Sequence, residues 1–157
     1  GPETSSYGFL ATSVVQASLL LPAGRMTDTR GRKPAMVIGT LALVVAMICL
    51  VASETLTGFY ASMIAMGVGA AYLGAAPSAV VGDIVDGRKG GPVVATYQMM
   101  SDLGIVAGPL LFGYLADSTG GFAWPFIAGL IVASATSVLV MFMPETRKPT
   151  SAETLIA

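Results

Sequence analysis

The chain has 157 residues, the length of one domain, yet 54% of it is hydrophobic and 11% charged, with a mean hydropathy of +0.77 that water-soluble domains of this size do not reach. Eight Lys/Arg stand against nine Asp/Glu, a net charge of -1, so no basic surface exists to grip nucleic acid phosphates. With no histidine and one cysteine, Cys49, the chain cannot build an internal disulfide, a Cys/His metal site or a Ser-His or Cys-His catalytic pair, and no cofactor is expected.

The charges punctuate the chain. Charge-free runs extend over Thr4–Gly24, Pro34–Ser53, Thr55–Gly82 and Ser118–Pro144, and a fifth run, Gly90–Ala116, is broken only at Asp102. A hydrocarbon core takes about 20 apolar residues as helix. The fold class expected is therefore all-α, a polytopic bundle with spans near 7–24, 35–53, 57–81, 92–115 and 122–143 and a tail over 144–157. A signal peptide would leave a soluble remainder, and no such remainder follows residue 24.

In chain order, the first span carries Thr12, Ser13 and Gln16, a polar patch on an otherwise apolar helix. Pro34 fits the opening of the second span, where its missing N–H costs nothing. The third span reads MGVGAAYLGAAPSA, whose Gly67, Gly74 and neighbouring alanines form the small-residue faces that let membrane helices approach, with Pro77 expected to kink it. Gly90, Gly91 and Pro92 break the chain before the fourth span, which holds Gly104 and Gly108 as a GxxxG pair, then Pro109 and Gly113. For these glycines static packing competes with bending during a transport cycle. Gly120 and Gly121 precede the fifth span, with Pro125 in its first turn.

Basic residues are retained on the cytoplasmic side during insertion. Arg25, Arg30, Arg32 and Lys33 follow the first span, Arg88 and Lys89 the third, and Arg147 and Lys148 the fifth, so all eight fall on one face. Glu3, Glu54 and Asp117 lie on the other. This places the N-terminus outside and the C-terminus in the cytoplasm of a cell inner (plasma) membrane.

Asp102 is the one ionisable group deep in a span. An ionised carboxylate there costs about 2.5–3.5 kcal/mol on insertion scales, so it should face a wet cavity or a partner. Helical spacing sets Gln98 on its face, with Tyr97 and Ser101 adjacent. Together with Gln16 these residues are expected to line a substrate or proton path; the competing role for Asp102 is a structural hydrogen bond to a neighbouring helix. An intramembrane hydrolase would need a second carboxylate or a histidine at this depth, so an enzyme is not expected.

Between the first two spans, GRMTDTRGRK runs Gly24, Asp28, Gly31, Arg32, Lys33. This resembles motif A of the major facilitator superfamily, the G-x-x-x-D-[RK]-x-G-[RK]-[RK] string that joins helices two and three or eight and nine. It departs by having Thr29 where the family places a basic residue, with Arg30 one position on. Gly24 would permit close approach and Gly31 the turn, while Asp28 could accept from a helix N-terminus or an arginine, and Arg32 could meet Asp83 or Asp86. By similarity the loop is assigned a cytoplasmic gate that stabilises the outward-open form.

SDLGIVAGPLLFGYLAD is similar to the eleventh helix of bacterial drug and metabolite exporters of that superfamily, and MPETRK to the tail after a twelfth. The resemblance implies helices eight to twelve of a carrier, a fragment whose missing N-terminal half, small-molecule substrate, protons and membrane lipid are its partners. Helices two to six of an N-terminal half fit the same topology. A membrane scaffold that binds partner helices through glycine faces is the alternative from another class; it has no use for Asp102 or the Asp28/Arg32 loop.

Overall fold

The computed structural model describes residues 2–53, 55–85 and 90–145. Five helices follow one another: α1 (Pro2–Thr29), α2 (Arg32–Ala52), α3 (Leu56–Val85), α4 (Gly91–Thr119) and α5 (Ala123–Phe142). Each is long and apolar enough to cross a membrane, and no strand occurs among the described residues. Backbone N–H and C=O groups cannot be left unpaired in hydrocarbon, and a continuous helix pairs them internally. Serine and threonine hydroxyls follow the same logic by donating to their own helix, as Thr27 does to the Ala23 carbonyl at 2.8 Å.

The helices outrun the expected spans. α1 begins at Pro2 and continues to Thr29 through Pro22, and α3 reaches Val85, which puts Asp83 on its last turn. Pro34 is the third residue of α2 rather than its first, still in the turn whose N–H groups lack intrahelical partners. Pro92 and Pro125 likewise sit in the first turns of α4 and α5. α4 ends on Gly120 in the left-handed conformation (φ 69°), whose N–H returns to the Ala116 carbonyl.

α3 is the central rod, packed on α1 and α2, and α2 packs in turn on α5. Small residues set the approach. A Cβ on Gly67 would fall 2.7 Å from the Thr12 carbonyl oxygen of α1, and one on Gly69 would fall 2.8 Å from Leu43 of α2. Gly39 opposes Leu73 at the same α2/α3 seam. Between α2 and α5, the buried hydroxyls of Thr40 and Ser137 meet at 3.4 Å. Gly67 thus lies at a close helix contact, whereas Gly74, Gly104, Gly108 and Gly113 have no neighbour within 4 Å of a Cβ position among the described residues. Among the described residues α4 leans on α5 and α3 alone and buries none of its own.

Large apolar side chains face outward throughout, among them Phe9, Leu21, Ile105, Leu110, Leu139 and Phe142. In water such a surface would aggregate; against acyl chains it is the ordinary solvent-facing side.

Candidate functional site

Two places carry polar chemistry: the α1–α2 turn and the outer face of α4. The first is a helix–turn–helix, not the loop expected from sequence. Asp28 lies in the final turn of α1, Arg32 opens α2, and only Arg30 and Gly31 stand between. Gly31 makes the turn with φ 111° and ψ 167°, a region that side chains disfavour by about 1–3 kcal/mol. Gly24 is different. It lies inside α1 with open space around it, and the close approach expected of it is absent.

Arg32 is the hub. Its Nε donates to Asp83 Oδ2 at 2.9 Å and its Nη2 to Asp83 Oδ1 at 3.4 Å, a two-pronged pairing between α2 and the end of α3. Its Nη1 donates to Asp28 Oδ1 at 2.6 Å and to the Thr27 carbonyl at 2.9 Å. The side chains of Arg32 and Asp83 are 14% and 21% exposed and that of Asp28 is 72% exposed, so the Asp83 pair is the less screened and the stronger of the two. Asp86, the other carboxylate expected to meet Arg32, lies outside the described residues.

A third carboxylate joins this site that the sequence reading did not assign to it. Glu145, three residues beyond α5, accepts the backbone N–H of Arg32 (2.8 Å) and of Lys33 (3.0 Å) on its two oxygens. Gly31, at the N-cap, has no side chain with which to cap, and Glu145 supplies the anion that a helix N-terminus favours, a contribution of about 0.3–1 kcal/mol at the surface. A Cβ on Gly31 would run into the Glu145 carboxylate, so glycine is required there for space as well as for φ. The role expected of Asp28 toward a helix N-terminus is thus filled by Glu145, and Lys33 contributes its main chain. Its one signal in the sequence was position: the first acidic residue after the fifth span, on the basic face. Thr29, in the departing position, donates its hydroxyl to the Arg25 carbonyl of its own helix.

On α4, Gln98 Nε2 donates to Asp102 Oδ1 at 3.1 Å, the i,i+4 pairing expected. Both are exposed, as is Ser101, and Tyr97 is half-buried. The continuous path with Gln16 is not assembled in this chain. α1 and α4 make no contact among the described residues because α3 stands between them, and Thr12 turns away to share its hydroxyl between the Gly8 and Met63 carbonyls. Gln16 remains exposed on α1.

Behind α4 lies a half-open apolar groove of about 770 Å³, walled by Thr40, Leu43 and Met47 of α2, Leu73 of α3, one face of α4 and the middle of α5. No cluster of metal-ligating residues occurs among the described residues.

The molecule is a bundle of apolar rods, each long enough to cross a membrane, tied at one end by an Asp–Arg–Asp bridge. The chain belongs to the Major Facilitator Superfamily, whose family model matches residues 1–156. It is similar to the hexuronate transporter of Bacillus subtilis (strain 168), 32% identical over 123 residues that cover 70% of this chain and 29% of that protein. It is also 28% identical over 142 residues to Multidrug resistance protein 2 of the same organism, covering 87% of this chain and 35% of the relative. Against Multidrug resistance protein MdtL of Shigella flexneri serotype 5b (strain 8401) it is 28% identical over 137 residues, 86% and 34% of the two chains. The chain thus spans about a third of the length of these relatives. No solved structure matches it significantly. It is a multi-pass membrane protein of a solute-transport family, not an enzyme.

Proposed function

We propose that these residues are helices eight to twelve of a proton-coupled carrier, the bundle that rocks against an N-terminal half to give alternating access to a small organic solute. The observation that carries the reading is Arg32 held between Asp28 and Asp83 while Glu145 clasps the start of α2. The bridge and clasp join the ends of α1, α2 and α3 and the segment after α5 into one plate at the end where the basic residues of the first connection lie. By the retention of Lys and Arg inside the cell, that end is cytoplasmic and the C-terminus lies with it. A plate of this kind is what a second half closes against, so the bridged state is the outward-open one with its cytoplasmic side shut.

Asp102, on the face of α4 directed away from the groove, is the proton acceptor or the counter-ion for a cationic solute, positioned by Gln98. Efflux across the plasma membrane in exchange for protons is the reading we favour, supported in substrate class by the two relatives named for multidrug resistance; the relative named a hexuronate transporter supports an acidic sugar as the second reading. In the full-length carrier, Asp102→Asn is expected to abolish proton-driven flux in vesicles while leaving membrane insertion unchanged. Undiminished, pH-dependent flux by that variant would refute the proton role.

A further inference from the structure

We infer that Thr12 is a positioning residue for the Arg32–Asp83 pair: it pins α1 in axial register on α3, and that register delivers Arg32 to Asp83. The inference rests on the reading of the bridge as a gate and names what sets its geometry from further up the α1/α3 seam. Three successive contacts show α1 and α3 running in step. A Cβ on Gly8 would fall 2.6 Å from the Phe59 ring, the Thr12 hydroxyl donates to the Met63 carbonyl at 3.0 Å, and a Cβ on Gly67 would fall 2.9 Å from Val15. Their offsets along the chain are 51, 51 and 52 residues, so the two helices are parallel and neither gains on the other. All three contacts are closed within this chain.

Apolar contacts are non-directional, so a small-residue seam brings helices close without choosing among axial registers. Thr12 makes the choice. Its hydroxyl, shared with the Gly8 carbonyl at 3.1 Å, reaches the carbonyl of Met63, while its own carbonyl oxygen lies 2.7 Å from the Cβ position of Gly67. Thr12 is thereby seated between two residues one turn apart on α3. A slip by a turn, about 5.4 Å, would break the hydroxyl bond and drive the carbonyl against the side chain of Met63 or Ala71. Thr27, on the same side of α1, does not duplicate this, because its hydroxyl goes to Ala23 of its own helix. Asp28 follows Thr12 by 16 residues, about 24 Å of helix, and only Arg30 and Gly31 separate α1 from α2. Arg32 therefore travels with Asp28, to which it is bonded at 2.6 Å. Movement of α1 along α3 leaves that pair intact and takes Arg32 away from Asp83, whose two oxygens it meets at 2.9 and 3.4 Å.

A double-mutant cycle in the full-length carrier, followed by thermal unfolding in detergent, tests this. Sites more than about 10 Å apart that share no partner contribute additively. Thr12→Val is expected to lower the unfolding midpoint and Thr12→Ser to restore it. The lowering should persist in an Asp28→Asn background and fall by at least half in an Asp83→Asn background, although about 30 Å of helix separates Met63 from Asp83. With every native cysteine replaced, Cys49 included, Thr12→Cys with Met63→Cys should join on oxidation, since a disulfide needs Cα atoms within about 7 Å and the Thr12 hydroxyl already touches the Met63 backbone. Equal lowering in all backgrounds, failure of serine to restore the midpoint, or a 12–63 pair that never joins would each overturn the proposal. Solute flux that survives Arg32→Ala would remove the gate reading and leave the register pin and its coupling to Asp83 standing.

Discussion

α3 and α4 are nearly the same length, 30 and 29 residues, and both run through several glycines and an interior proline, Pro77 or Pro109. Yet α3 is the centre of the packing and α4 its loosest member. The difference is in what stands opposite the small residues. Gly67 and Gly69 face Thr12, Val15 and Leu43, so absence of a side chain is converted into backbone proximity; Gly104, Gly108 and Gly113 face space. Small-residue spacing is thus a permission for close packing, and the neighbouring helix decides whether it is used. α4 also carries Asp102, and a carboxylate on a membrane-spanning helix is costly against lipid and apolar neighbours alike.

The contrast between the tied end and the loose helix can be broken most sharply at Arg32. Arg32→Ala leaves Asp83 without its mostly buried cation and is expected to cost about 3 kcal/mol, the scale for halving a buried pair. Thermal unfolding of the full-length carrier in detergent would register it, with flux reduced at least tenfold. Retained stability and flux would show that the bridge is ornamental. Next, Gly31→Ala should cost about 2 kcal/mol through its φ alone and displace Glu145 besides, whereas Gly24→Ala in the same motif should change stability by less than about 0.5 kcal/mol. Equal effects at the two glycines would undo the account of the turn.

A third pair sharpens the comparison of α3 with α4 directly. Gly67→Ala drives a methyl against the Thr12 carbonyl and is expected to destabilise by about 1–2 kcal/mol; Gly108→Ala meets nothing and should be neutral or stabilising by up to about 1 kcal/mol. Unfolding midpoints of the two single variants decide it. The smallest effect is expected from Thr40→Val, which removes the hydroxyl bond to Ser137 for about 0.6 kcal/mol, the typical worth of such a bond within a membrane. A loss of several kcal/mol there would mean the α2/α5 seam depends on that hydroxyl more than on its shape.

The spans were legible because hydrocarbon imposes length and composition on each helix separately, and because charges are rare the candidate partners of Arg32 narrowed to Asp83 or Asp86, of which the structure pairs it with Asp83. Helix ends were less so. Asp28 and Asp83 lay beyond the expected span ends at 24 and 81, yet backbone hydrogen bonding carries α1 and α3 through them. The partner of α2's first turn could not be read at all, since Glu145 is 113 residues from Arg32 and only packing of α5 on α2 brings it there. The failure to join Gln16 with Asp102 has the same origin: both are polar positions on apolar helices, and their separation is a property of helix order in space, set by α3 lying between α1 and α4.

The Glu145 clasp also fixes an order of assembly. Chains are made from the N-terminal end, so α2 enters the bilayer with its first N–H groups uncapped, Arg32 can find Asp83 once α3 has followed, 51 residues later, and the cap closes only when everything up to residue 145 has left the ribosome. Until that moment the young bundle has its bridge but not its clasp. A released chain that ends just before Glu145 would therefore keep α1 to α5 and the Arg32–Asp83 bridge and still be unfastened at the start of α2.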